Sequence, residues 1–163
     1  MSNLLWIEDE PRYVRAAAGE IRDLGWSVTF AREILEAANK LSTERYDALI
    51  MDLMVTGNVP NVAAGFAIWS TYRLLCWLGG SPAEAKAGLA HQWKEIDVLT
   101  PMEENRRIPA MILSAYHDMN VAEAMKLANL ARVGTAIPMY SKPIDAVRVA
   151  DCFLTLVAEA TPA

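Results

Sequence analysis

Apolar positions in this 163-residue chain fall into two patterns: short continuous runs, and longer stretches in which apolar residues recur at helical spacing. The first pattern predicts strands buried on both faces, the second amphipathic helices. "LLWI" at 4–7 is the first run, and Pro11 suits the opening turn of the helix after it, where a missing N–H costs nothing. That helix turns Ala16, Ala17, Ile21 and Leu24 toward the core and stops at Gly25. "WSVTFA" predicts a second strand, and "REILEAANKLSTE" a second helix with Ile34, Leu35, Ala38 and Leu41 on one side. "YDALIMD" predicts a third strand which, like the first, ends on an acid. "IPAMILSA" and "VGTAIPMYSKP" hold a fourth and a fifth, separated by the helical "VAEAMKLANLAR". A last helix runs from roughly Ile144 to Ala158.

Five strand–helix units predict an α/β fold, a doubly wound parallel sheet with helices on both faces, because parallel strands need crossover connections and right-handed crossovers place the helices there. The middle of the chain is longer than this plan requires. Between Asp52 and Ser114 there is room for two helices where one would serve. "GFAIWSTYRLLCWLGG" predicts a helix stopped by a glycine pair. "SPAEAKAGLAHQWKEIDVL" predicts another, with Ser81 as N-cap and Pro82 at the first helical position. The stretch from about Leu75 to Arg107 therefore reads as a helical insertion carried on a single domain spanning 1–163.

Composition narrows the function classes. With 53% hydrophobic and 21% charged residues, the chain suits one compact domain with a sizeable core. A net charge of −5 argues against binding nucleic acid or an anionic membrane by electrostatics. The N-terminal apolar run is too short for a signal peptide, and no run approaches the roughly 18 residues of a membrane span, so the expected location is the cytoplasm. Cys76 and Cys152 stand alone and read as buried free thiols; His91 and His117 read as surface or cap residues rather than ligands.

The chemistry gathers at the strand ends. In open parallel sheets, ligands collect beyond the carboxyl ends of the strands. Here strand one ends on Glu8 and Asp9, strand three on Asp52, strand four on Ser114, and strand five on Lys142 before Pro143. An acid after a strand is ordinarily a solvated loop start or a cap, and Ser or Lys-Pro there is unremarkable by itself. Three carboxylates, a hydroxyl and an ammonium converging on one edge form a far more specific pattern. Crowded carboxylates raise one another's pKa unless a cation neutralises them, and a small hard cation with oxygen ligands is the Mg²⁺ pattern.

"LLWIEDEP", "YDALIMDL", "MILSA" and "YSKP", in that order, resemble the receiver domains of two-component response regulators (the CheY-like family). The resemblance spans the chain apart from the inserted stretch. It implies strand order 2-1-3-4-5 and a phosphoryl group accepted on Asp52 from a histidine kinase or histidine phosphotransfer protein. It further implies Mg²⁺ held by Asp9, Asp52 and the backbone carbonyl of Met54, with Glu8 acting through bound water. Ser114, Lys142 and the backbone of Ala115 would hold the phosphoryl oxygens. Such a protein modifies only itself and is not otherwise an enzyme.

Three features depart from the family pattern. Ser114 stands where threonine is more usual. Met139 stands at the switch position, three before Lys142, where the family has an aromatic ring; Tyr140 is one place off and Tyr116 is a candidate substitute. The loop "LMVTGNVPNVAAG" after Asp52 is long. Within the insertion, Trp77 and Trp93 mark a candidate docking or dimerisation surface. Two other classes are weighed against the receiver: a pseudo-receiver that binds partners without phosphate, and a haloacid-dehalogenase-type phosphohydrolase, whose Asp-x-Asp pair "IEDEP" lacks. The closing "AEATPA" is too short for an effector module, which leaves a stand-alone receiver or one cut from a longer chain.

Overall fold

A computed structural model describes residues 1–53, 55, 64–80, 94–116 and 118–160, without the side chains of 64–68 and 94. The elements in chain order are β1 (Ser2–Ile7), a 3₁₀ turn (Pro11–Val14), α1 (Arg15–Asp23), β2 (Trp26–Ala31), α2 (Ile34–Thr43) and β3 (Ala48–Met51). They continue with α3 (Ala64–Gly79), α4 (Lys94–Asp97), a 3₁₀ turn (Glu103–Asn105), β4 (Ala110–Ser114), α5 (Met119–Val133), β5 (Met139–Ser141) and α6 (Ala146–Ala160). The five strands form one all-parallel sheet in the order β2-β1-β3-β4-β5. Fold class and strand order are those expected.

Strand periodicity explains the two apolar layers. Successive side chains point to opposite faces, so Leu5 and Ile7 of β1, Leu49 and Met51 of β3, and Ala110 and Ile112 of β4 join one core cluster. Leu4 and Trp6, Ala48 and Ile50, and Met111 and Leu113 join the other. The first face is covered by α2, α3 and α5 through Ile34, Leu41, Leu74, Leu78, Val121 and Met125. The second is covered by α1 and α6 through Ala18, Ile21, Val149 and Phe153. Apolar runs that do not alternate are what a sheet with both faces buried demands.

Element ends differ from the sequence expectation where local chemistry intervenes. The fifth strand, expected within 133–143, occupies only Met139–Ser141, because α5 continues through Val133 and is closed by Gly134 in the left-handed region at φ 81°. That helix also starts earlier than its apolar pattern, at Met119, because the Asp118 carboxylate accepts from the backbone N–H groups of Asn120 and Val121.

Both ends of the 75–107 stretch belong to the domain. Leu75, Cys76 and Leu78 are buried in the first core, as is Ile96. Gly79 lies against the stem of Arg132, where a Cβ would come 3.1 Å from Arg132 Cγ. Asn105 is fully buried and fastens the end of α2 and the connection to β3: its Oδ1 accepts from Tyr46 N at 2.8 Å, and its Nδ2 donates to the carbonyls of Leu41 (2.9 Å) and Glu44 (2.7 Å). The part between, 81–93, with Ser81, Pro82, Lys86, His91 and Trp93, lies outside the described residues, as does His117. Among the described residues no helix is long and apolar enough to cross a membrane.

Candidate functional site

The sheet register carries four strand ends to one edge. Ile7 pairs with Met51, Met51 with Ile112, and Ser114 with Ser141, so the next residues of β1, β3 and β5 emerge side by side. Backbone bonds continue the ladder past the strands: Asp52 N–H donates to Ile7 O, Glu8 N–H to Ala31 O and Lys142 N–H to Ser114 O. The side chains that follow are therefore held by rigid backbone rather than by loops.

Glu8, Asp9 and Asp52 offer oxygens that all lie within 4.8 Å of one another. Lys142 Nζ bridges two of them, 2.5 Å from Glu8 Oε2 and 2.7 Å from Asp52 Oδ2. The Ser114 hydroxyl donates to the other Asp52 oxygen, Oδ1, at 2.7 Å and accepts from the backbone N–H of Tyr116 at 3.2 Å. Glu8 Oε1 accepts from Glu10 N–H. Glu8, Asp52 and Ser114 are buried, whereas Asp9 is half-exposed.

Burial disfavours the charged carboxylate and pushes Glu8 up to about 7, against the lowering pull of Lys142. Burial alone would lower Lys142, but its bonds to Asp52 and Glu8 outweigh that and hold it above the usual lysine value. Three carboxylates face one ammonium, leaving an excess of two negative charges at full ionisation. A divalent cation with a preference for hard oxygen ligands fits that donor set.

The structure brings together Glu8, Asp9, Asp52, Ser114 and Lys142, and Ala115 lines the same cavity. Met54, whose carbonyl was expected among the ligands, lies outside the described residues. Met139 faces the first core and is partly buried there, while Tyr140 packs on the opposite face, as alternation along β5 requires. Trp77 is turned inward: it packs on the first core and its indole N–H donates to Leu99 O at 3.0 Å. That occupies a side chain expected at a docking surface; Trp93, expected with it, lies outside the described residues. One residue of the site escaped the sequence reading. Thr71, fully buried on α3, donates its hydroxyl to the backbone carbonyl of Asp52 at 2.8 Å. Its signal was the polar Ser70-Thr71 pair inside a largely apolar helix.

The sequence matches no family model and no curated protein. Solved structures do match over nearly their whole length. A CheY-like response regulator receiver domain protein from Methanospirillum hungatei is 12% identical, with 98% of this chain and 96% of that one covered and a TM-score of 0.61. The signal receiver domain of a signal transduction histidine kinase from Syntrophus aciditrophicus is 20% identical, with 100% and 95% covered and a TM-score of 0.63. A two-component response regulator from Clostridium difficile is 12% identical, with 98% and 97% covered and a TM-score of 0.60.

This is the receiver fold. At these identities the likeness speaks to architecture, and the acidic cluster Glu8, Asp9 and Asp52 fits the acidic site of a receiver. The receiver fold thus supplies the scaffold that brings the five side chains together at its carboxyl edge.

Proposed function

We propose that this chain is a response regulator receiver domain that accepts one phosphoryl group on Asp52 from a histidine kinase or histidine phosphotransfer protein. In this reading it works in the cytoplasm, modifies only itself, and passes a conformational change to a protein partner. The observation that carries the reading is the convergence of Glu8, Asp9, Asp52, Ser114 and Lys142 on one edge.

Phosphoryl transfer asks a protein for an in-line nucleophile and for charge stabilisation on the equatorial oxygens. Asp52 is the nucleophile, positioned by its backbone bonds to Ile7 and Thr71. Ser114 and Lys142, now bonded to the two Asp52 oxygens, are placed to turn their donors to the incoming phosphoryl oxygens. Glu8, Asp9 and Asp52 are the residues that would hold Mg²⁺, with the Met54 carbonyl a further expected ligand. When bound, that cation supplies positive charge to the phosphoryl oxygens and neutralises the carboxylates. The switch then lies in Ser114: moving its hydroxyl from Asp52 to a phosphoryl oxygen strains the Tyr116 N–H bond and shifts the loop leading to α5. Met139 occupies the switch position of β5.

A second reading is favoured by two observations. Both Asp52 oxygens already have partners, and Met139 is not an aromatic ring, which suits a pseudo-receiver that binds its partner without phosphate. One experiment separates the two. Incubation with acetyl phosphate and Mg²⁺, followed by intact mass, should show a single added phosphoryl group that Asp52→Asn abolishes, since an amide is no nucleophile here. A wild-type protein that takes up none, or an Asp52→Asn protein that takes it up at the wild-type rate, overturns the phosphoacceptor reading.

A further inference from the structure

The cavity at the carboxyl edge is larger and more apolar than a phosphoryl group needs. Its volume is about 580 Å³, within the roughly 300–1,000 Å³ of sites that enclose whole small molecules. One end is polar, walled by Glu8, Asp9, Asp52 and Lys142. The rest runs between α1 and the β5–α6 connection, and its walls are Val14, Ala17, Leu113, Ile144, Ala146 and Val149. Leu113, Val14, Ala17 and Val149 are themselves core residues, so this wall is preformed rather than a loose surface fold.

In-line transfer decides what enters that arm. With phosphorus between an Asp52 oxygen and the leaving oxygen, the leaving group needs room on the side of phosphorus away from Asp52, and the apolar arm is part of the same cavity as Asp52. We infer that the arm receives the acyl chain of a mixed carboxylic–phosphoric anhydride, so that medium-chain acyl phosphates charge Asp52 in preference to acetyl phosphate. This rests on the phosphoacceptor reading and names the small-molecule donor that the same site selects.

The step balances without a further reactant. A bond forms between an Asp52 oxygen and phosphorus, the bond from phosphorus to the acyl oxygen breaks, and its electron pair leaves on the departing carboxylate. No proton is transferred and nothing is oxidised. Aliphatic carboxylates of different length are nearly equal as leaving groups, so a rate difference among their phosphates reports binding along the chain. Burial of one methylene contributes about 0.8 kcal/mol, and each one seated in the arm should raise kcat/KM about two- to fourfold.

The test is the rate of phosphorylation, read by intact mass in Mg²⁺ buffer, with acetyl, butyryl and hexanoyl phosphate. Wild type should rise in kcat/KM along that series. Ala146→Leu and Ala16→Trp narrow the arm from its two sides; Ala16 is exposed, so that replacement is compatible with folding. In either variant the hexanoyl-to-acetyl ratio should fall toward one. Equal wild-type rates for all three donors overturn the inference and leave the phosphoacceptor reading intact, as does a rising series that both variants leave unchanged. Failure of every donor to modify Asp52 overturns both.

Discussion

The two edges of the sheet bury polar groups in opposite ways. At the carboxyl edge, side chains are bonded mainly to other side chains: Lys142 to Glu8 and Asp52, Ser114 to Asp52. At the amino edge they are bonded mainly to backbone. Asn105 satisfies one N–H and two carbonyls at the end of α2 and in the connection to β3, and Arg132 donates Nη1 to the carbonyls of Arg106 (3.1 Å) and Ile108 (2.7 Å), with Nη2 going to Asn129 Oδ1 (2.7 Å). Burial lowers the Arg132 guanidinium to about 10, and its Nε has no hydrogen-bond partner among the described residues. Backbone partners cannot move without moving the fold, whereas side-chain partners can exchange. The first arrangement suits a fastening and the second a site that must accept a new ligand.

That contrast can be broken by mutation. The largest effect is expected at the amino edge. Asn105→Ala leaves three backbone groups without their partner, those of Tyr46 and Leu41 buried and that of Glu44 partly so, and should cost about 2–4 kcal/mol in chemical denaturation, with phosphorylation of the remaining folded protein unaltered. A loss below 1 kcal/mol would show that Asn105 is no fastening.

Next comes pH. Glu8, raised from 4.5 to about 7 chiefly by burial, keeps in the folded state a proton that the unfolded chain has released. Its contribution is therefore full below pH 4.5 and is lost as pH rises through 7. Without divalent cation, stability should fall by about 2–3 kcal/mol across that window, and Glu8→Gln should flatten the fall. Thermal melts in chelator across the window check it; an unchanged slope in Glu8→Gln would assign the pH dependence elsewhere.

The smallest effect is on metal affinity. Asp9→Ala should weaken Mg²⁺ binding at least about tenfold, equivalent to about 1.4 kcal/mol, while the metal-free melting temperature stays level or rises because a like charge is removed. The fluorescence of Trp6, buried on β1 two residues before Glu8, gives the readout. Equal Mg²⁺ titrations in both proteins would remove Asp9 from the metal site.

The sequence made much of the fold legible for a physical reason. A strand buried on both faces must be apolar throughout, so "LLWI", "ALIM" and "AMILS" announce themselves, and a residue that follows such a run directly, as Glu8, Asp52 and the terminal Ser114 do, is placed by the backbone alone. The end of β5 was harder, because Gly134 and Pro138 interrupt the pattern and α5 takes up Val133. Thr71 was missed although its partner, Asp52, was singled out, since nothing local says which helical hydroxyl faces a carbonyl 19 positions away.

What the chain alone determined, then, is the set of elements and the chemical identity of the groups at their ends, because periodicity and strand termination are local properties. Tertiary structure decided which of those groups touch. Lys142 reaches Glu8 across 134 positions, and Asn105 reaches Tyr46 across 59. Trp77 points inward to Leu99 rather than outward. The depth that sets Glu8 at about 7 and the apolar arm beside it arise only once α1 and α6 close on the sheet. Contact, burial and cavity shape depend on how separate elements pack, and no single stretch of sequence carries that information.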